Sequence, residues 1–379
     1  MPEELFRSAD LLVRRAPAAV ARRAGAVIVT FGSYTTEHRL DRPGFGEEFL
    51  ASIGIDAIHV INRHNRWYQH PERDAALATV AAAARDYARV ITYGSSMGGY
   101  AALRYAQACG AQAAIGLSPQ FSVDPRIVPW ETRWQADVAR TRFAERDYAG
   151  APEGYVVFDP CLALDARHAA MIVAASGATA IPIPFGGHPV GPLLVETGAL
   201  QAAIRAIVAG TFNPAEMRRH VRRERRRSQH HHFVLARHCA PRHPETALRL
   251  LERAAAIEPE SHLLSARAVL LDTLGRSAEA APLHHAALAR TPNDVHARTR
   301  LAEHQELTGD AASAARSLRA AARGQGGSIL LFIRVRQMRL WLRRHRLHWL
   351  DRLVGAAIRR SARSRFHATI VREIGAHLR

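Results

Sequence analysis

Lysine is absent from all 379 residues, so every one of the 52 basic side chains is arginine. That absence reflects composition bias as much as function, and the formal charge of +18 by itself names no ligand. Only three cysteines occur, Cys109, Cys161 and Cys239, far apart in the chain. They exclude a disulfide scaffold and fit a reducing compartment. No apolar run approaches the length that crosses a bilayer, and the first residues carry Glu3 and Glu4 in place of an apolar signal core. The expectation is a cytoplasmic protein, soluble or held peripherally at a membrane. His230-His231-His232 has no cysteine pair beside it, so neither a metal nor a cofactor is read from the chain. What the chain does have is apolar material, 48%, sufficient for a real core, and a length that implies two domains.

The charge is unevenly placed. Residues 218–227 carry seven arginines against one glutamate, +6, and residues 331–379 carry 13 arginines against two acids, +11, which leaves +1 for the rest. The basic character therefore belongs to one internal segment and the C-terminal region. No nucleic-acid module accompanies it, and nucleic acid is not expected as a partner.

Gly94-Ser95-Ser96-Met97-Gly98 stands between an apolar run, Arg89-Val90-Ile91-Thr92-Tyr93, and a helix-forming run, Tyr100-Ala101-Ala102-Leu103-Arg104-Tyr105. A serine on so tight a strand-to-helix turn has its Oγ pushed out at the carboxyl end of a sheet. Glycines flank it because a Cβ there would strike the neighbouring strand and helix. Such a nucleophile needs an imidazole to take its proton and a carboxylate to hold the imidazole's tautomer. Both follow in order. The strand-like run Gly154-Tyr155-Val156-Val157-Phe158 is ended by Asp159-Pro160. Ala180-Ile181-Pro182-Ile183-Pro184-Phe185, whose prolines suit an edge strand, then leads into Gly186-Gly187-His188.

On Gly94-Ser95-Ser96-Met97-Gly98-Gly99, Asp159 and Gly187-His188, the chain resembles the α/β-hydrolase superfamily over about residues 20–210. The resemblance implies Ser96 as nucleophile, His188 as general base and Asp159 as the orienting acid. Asp165, a few residues beyond the same strand, is the rival acid, and also suits the N-cap of a helix beginning near Ala166. His168 lies inside that helical pattern and reads as a surface or a buried hydrogen-bonding histidine. The oxyanion hole needs two backbone N–H donors. One is expected from Met97. The other is expected from Gly32 or Ser33, where this chain has Phe31-Gly32-Ser33 in place of the family's His-Gly or Gly-rich signature.

Strands are expected near 26–31, 56–62, 90–94, 112–117, 154–158 and 180–185, with helices over 71–87, 100–107, 166–175 and 192–208. This alternation implies an α/β fold with a mostly parallel, doubly wound sheet. The residues before the first of these strands read as helical or irregular, so a trimmed core without the family's first strands is expected. The loop 62–70 is rich in rings and hydrogen-bonding groups, and Trp67 and Tyr68 are candidates for the substrate pocket. Residues 118–150, with Trp130, Trp134, Phe143 and Tyr148, occupy the place of a lid or a plain helical cap.

The second half repeats with a period near 34. Leu274-Gly275 and Thr308-Gly309 are 34 apart, Ala280 and Ala287 share a register with Ala314 and Ala321, and Ala247 and Ala254 precede them by 33. With Pro259 and Pro292 closing successive units, this pattern resembles the tetratricopeptide repeat, and it implies an all-α helical-repeat domain. The expected layout is a hydrolase-like domain over 1–212, an Arg/His-rich linker or first helix over 213–236, repeats over 237–325, and basic amphipathic helices over 326–379. In the last segment Leu331, Val335, Met338, Leu342, Trp349 and Leu353 recur at mostly three- and four-residue spacing among arginines. These helices are expected to cap the last repeat, with contact to an anionic membrane as the alternative.

The function expected is a serine hydrolase for a carboxylic ester or related acyl group, on a small molecule or a glycan, with the repeats serving protein interaction. The alternatives are a binding protein with a degenerate hydrolase domain, and acyl transfer to a glycan hydroxyl.

Overall fold

The computed structural model describes residues 2–18, 25–144, 148, 150–325 and 327–362. The chain divides into two units, Met1–Thr132 with Ala136–Arg227, and Arg133–Gln135 with Ser228–Arg379.

The first unit is built on an eight-stranded sheet. Its strands are β1 (Glu3–Arg7), β2 (Leu11–Ala16), β3 (Ala26–Phe31), β4 (Asp56–Asn62), β5 (Arg89–Ser95), β6 (Ala113–Leu117), β7 (Glu153–Phe158) and β8 (Thr179–Pro182), in the order β1-β2-β4-β3-β5-β6-β7-β8. The strands from β3 onward pair in parallel, while β2 runs antiparallel to both β1 and β4. The first two strands correct the expectation of a trimmed sheet. Leu11, Leu12 and Val13 are buried, but Arg14 and Arg15 follow them and β1 reads Glu-Glu-Leu-Phe-Arg. Charged side chains blunt a sheet edge, and they erase the alternation that announces a strand.

Helices cover both faces of the sheet, as parallel strands require. They are α1 (Glu47–Ser52), α2 (Arg73–Ala84), α3 (Met97–Arg104), α5 (Ala163–Ser176), α6 (Gly191–Glu196), α7 (Ala199–Val208) and α8 (Pro214–Glu224), while α4 (Gln135–Val138) is a single turn between β6 and β7. Ile28, Ile91, Ile115 and Val157 share one apolar cluster with Leu193, Leu194, Ile204 and Ile207. Thr92, one residue along β5, faces the other way and donates to the Ala102 carbonyl of α3 at 2.7 Å. Met217 and Val221 of α8 complete the first cluster. The basic segment 218–227 therefore begins on a helix packed against this unit, with Arg218, Arg219, Arg222 and Arg223 exposed. Between β6 and β7 the described residues form irregular chain with the single turn α4, and no helical cap.

Among the described residues the second unit has three helical hairpins and two further helices. The hairpins are α9 (Gln229–Cys239) with α10 (Pro244–Ile257), α11 (Ser261–Thr273) with α12 (Ser277–Arg290), and α13 (Val295–Leu307) with α14 (Ala311–Ala322). Ala247, Ala254, Ala280, Ala287, Ala314 and Ala321 are all buried, because paired helices approach closely where only a methyl group stands. Gly275 and Gly309 occupy the inter-helix turns at φ +75° and +85°, a region that disfavours a Cβ. After them come α15 (Gly327–Arg344) and α16 (His348–Ala362). Ile333 and Leu340 of α15 join Ala314, Leu318 and Ala321 of α14 in one apolar cluster.

Candidate active site

Ser96 stands between β5 and α3 at φ 51° and ψ −117°, a conformation that costs a residue with a Cβ about 1–3 kcal/mol. The surroundings over-determine it. Its N–H donates to the Leu117 carbonyl at 2.8 Å, tying the turn to β6. A Cβ on Gly94 would overlap the backbone of Gly98, and a Cβ on Gly98 would overlap the Phe31 carbonyl oxygen. Helix and strand can lie this close only because both positions are glycine.

The loop after β8 carries His188 back over the carboxyl ends of the strands. Nε2 of His188 lies 3.0 Å from Ser96 Oγ, and Nδ1 lies 2.6 Å from Asp165 Oδ2. A carboxylate accepting from Nδ1–H leaves the Nε2 lone pair directed at the serine hydroxyl, the arrangement a general base needs. Asp165 sits in the first turn of α5 with its side chain 1% exposed, so water does not compete for the imidazole.

Asp159, the favoured acid, is not at the imidazole. Its Oδ1 accepts the N–H groups of Cys161 at 2.9 Å and Phe185 at 3.0 Å, and its Oδ2 accepts the N–H of Gly187 at 2.9 Å. Three backbone donors occupy the carboxylate. It anchors the loop that carries His188 to the end of β7. His168 is buried, accepting the Phe121 N–H at Nδ1 (3.1 Å) with Nε2 2.9 Å from Glu131 Oε2, and it holds the irregular 118–131 segment.

Of the candidate oxyanion donors, Gly32 directs its N–H at the Val60 carbonyl at 3.4 Å. Ser33 Oγ donates to the Ser95 carbonyl at 2.8 Å, fixing that loop against the residue before Ser96. Met97 is the first residue of α3, where the helix dipole adds positive potential.

Trp67 and Tyr68, the pocket candidates, are both buried and both at positive φ. Both side chains are almost fully enclosed. The Tyr68 hydroxyl donates to the Gly32 carbonyl at 2.9 Å, and burial pushes the phenol far above its ordinary value, so it remains a donor that braces the Gly32-Ser33 turn. Trp67 Nε1–H donates to Gln120 Oε1 at 3.0 Å. The fixed amide of Gln120 turns its Nε2 toward Ser96 Oγ at 3.3 Å and the Ser118 carbonyl at 3.2 Å. Gln120 was not anticipated from the sequence. Its one signal is position, three residues beyond the carboxyl end of β6, where open α/β sheets place their ligand-binding groups.

Far from this site in sequence, Asp272, His284 and His304 are the described residues close enough together to hold a metal ion. Here the Asp272 carboxylate takes His284 Nε2–H at 2.9 Å and His304 Nδ1–H at 2.9 Å. Burial alone would raise its pKa, but these two donors and Ser277 outweigh burial and hold it low. Burial lowers His284 as well. The group ties α11, α12 and α13 together as a shared carboxylate.

No family model and no curated protein matches this sequence. Among solved structures, the chain is similar to an α/β serine hydrolase without a lid from Xanthomonas campestris, at 16% identity and a TM-score of 0.34, over 53% of this chain and 96% of that one. It is also similar to an uncharacterised protein from Capnocytophaga ochracea, at 11% identity and a TM-score of 0.31, over 90% of this chain and 99% of that one. At the carboxyl ends of the strands in the first unit, the three side chains that meet are Ser96, His188 and Asp165.

Proposed function

We propose that the protein is a serine hydrolase acting on a carboxylic ester or related acyl group. The observation that carries this reading is the hydrogen-bonded line from Asp165 through His188 to a strained Ser96 at the end of β5. Ser96 Oγ attacks the acyl carbon as His188 takes its proton, and Asp165 stabilises the imidazolium that forms. The N–H groups of Met97 and Ser33 are assigned to the oxyanion. The protonated His188 then delivers its proton to the leaving alkoxide, and in the second half-reaction it activates the water that releases the acid. Gln120 donates to Ser96 Oγ while that oxygen donates to His188, so the nucleophile is held from two sides.

The helical hairpins are proposed to bind a protein partner. The three cysteines are free thiols, in keeping with a reducing compartment. Among the described residues no helix is long and apolar enough to cross a membrane.

The test is labelling with a fluorophosphonate probe, which reacts only with an activated serine. Wild type is expected to label, and Ser96→Ala and His188→Ala are expected not to. Absence of labelling in wild type, or equal labelling of Ser96→Ala, would falsify the assignment.

A further inference from the structure

The two helices after the hairpins have two different faces. On the inner face of α15, Ile333 and Leu340 are buried against the last hairpin, which the sequence pattern anticipated as a cap. The arginines of that side are matched by acids: Arg336 pairs with Glu303 and Glu306, Arg343 with Glu306, and Arg339 with Asp351.

The outer face is different. Leu331, Met338 and Trp341 are exposed on α15, and Trp349 and Leu353 on α16, the two tryptophans at 53% and 62%. Half of the ten large exposed apolar side chains among the described residues fall within these 23 positions. Leu331, Arg334, Met338, Trp341 and His345 follow one another at three- and four-residue steps, so they form one stripe along the helix. Arg334, Arg344 and Arg352 on these helices and Arg346 in the turn between them are exposed, and none of them has a salt bridge to a carboxylate among the described residues. Residues 331–362 carry nine arginines against one aspartate.

We propose that this outer face of α15 and α16 docks on an anionic lipid bilayer. Tryptophan, leucine and methionine interleaved with unpaired arginine is the composition an interfacial helix uses: the rings enter the headgroup boundary and the guanidinium groups bind lipid phosphates. Neither helix spans, so the contact lies in the plane of the membrane. A nucleic-acid surface would not require exposed leucine and methionine between its arginines. A second copy of the chain would present the same unpaired arginines to one another.

The experiment is co-sedimentation of the full chain with phosphatidylcholine vesicles, with and without about one-third phosphatidylglycerol, at low and high salt. Binding is expected only to the anionic vesicles, with release as salt rises. The double variant Trp341→Ala/Trp349→Ala is expected to lower the partition coefficient roughly tenfold or more, its circular dichroism unchanged because both rings are exposed. Arg334→Gln/Arg344→Gln/Arg352→Gln is expected to weaken binding and flatten its salt dependence. Arg218→Gln/Arg219→Gln/Arg222→Gln, on α8, is expected to bind as wild type. The proposal is overturned if anionic lipid brings no binding, if the tryptophan variant binds as wild type, or if the α8 variant is the one that fails. It is equally overturned if the tryptophan pair proves to hold a dimer in sedimentation equilibrium, or to bind a single-stranded RNA in preference to vesicles.

Discussion

The carboxylate of Asp165 meets Nδ1 of His188 at 2.6 Å from the first turn of a helix, seven residues past the end of β7. The aspartate at the strand end itself is occupied by backbone. The two acids should therefore fail differently. Asp165→Asn is expected to reduce kcat on an activated ester by about 10⁴ with an unchanged melting temperature, since the amide enforces the wrong tautomer. Asp159→Asn is expected to lower stability by about 2–4 kcal/mol, because it weakens three charge-assisted hydrogen bonds. Steady-state kinetics and thermal melts of both variants check the assignment, and equal loss of kcat in the two would reverse it.

The backbone of Ser96 stores strain that glycine does not feel. Ser96→Gly is expected to abolish turnover and to raise stability by about 1 kcal/mol in urea unfolding. Gly98→Ala should do the opposite, giving little folded protein, because its Cβ overlaps the Phe31 carbonyl oxygen. A destabilised Ser96→Gly variant would mean the turn is not strained.

Gln120 touches Ser96 directly and is held by Trp67. Gln120→Leu is expected to reduce kcat roughly ten- to a hundredfold with KM little changed, as an oriented donor is lost from the serine oxygen. Trp67→Phe removes the N–H that orients the amide and should produce a smaller loss of the same kind. If KM moves in place of kcat, Gln120 contacts substrate and does not orient the serine.

Acid should loosen the first unit. His59 is buried beside Thr30, with Glu47 and Arg14 nearby, and burial pushes its pKa down to about 4. The unfolded chain takes up this proton near pH 6.5 while the folded chain does not, so stability falls as pH drops from about 6.5 toward 4. Urea midpoints measured across that range should decline for wild type and decline less for His59→Asn. A flat profile would show that His59 titrates alike in both states.

Alanine at the hairpin contacts is a volume limit. Ala280→Leu and Ala314→Leu, both fully buried in wild type, are expected to cost about 1–3 kcal/mol by overpacking. Circular dichroism melts of the two variants read this directly.

Much of the first unit was legible before its structure. The alternation of apolar strands and helices located β3 through β8 to within three residues, because strands covered on both faces read as short apolar runs. The 34-residue alanine register marked the hairpins, because close helix pairs tolerate nothing larger. β1 and β2 escaped because an edge strand carries the charges that a solvated loop also carries. The packing of α8 escaped because seven arginines outweigh Met217 and Val221 in any composition.

What local sequence determined is the set of turns: a Gly-flanked serine between strand and helix, and a Gly-flanked histidine after the last strand. Those depend on backbone sterics within a few residues, and a string of letters carries them. Which carboxylate faces the histidine, and which amide faces the serine, was decided by the tertiary fold alone. Asp159 and Asp165 are the same residue type six positions apart, and only the path of the loop over the sheet end puts backbone donors on one and an imidazole on the other.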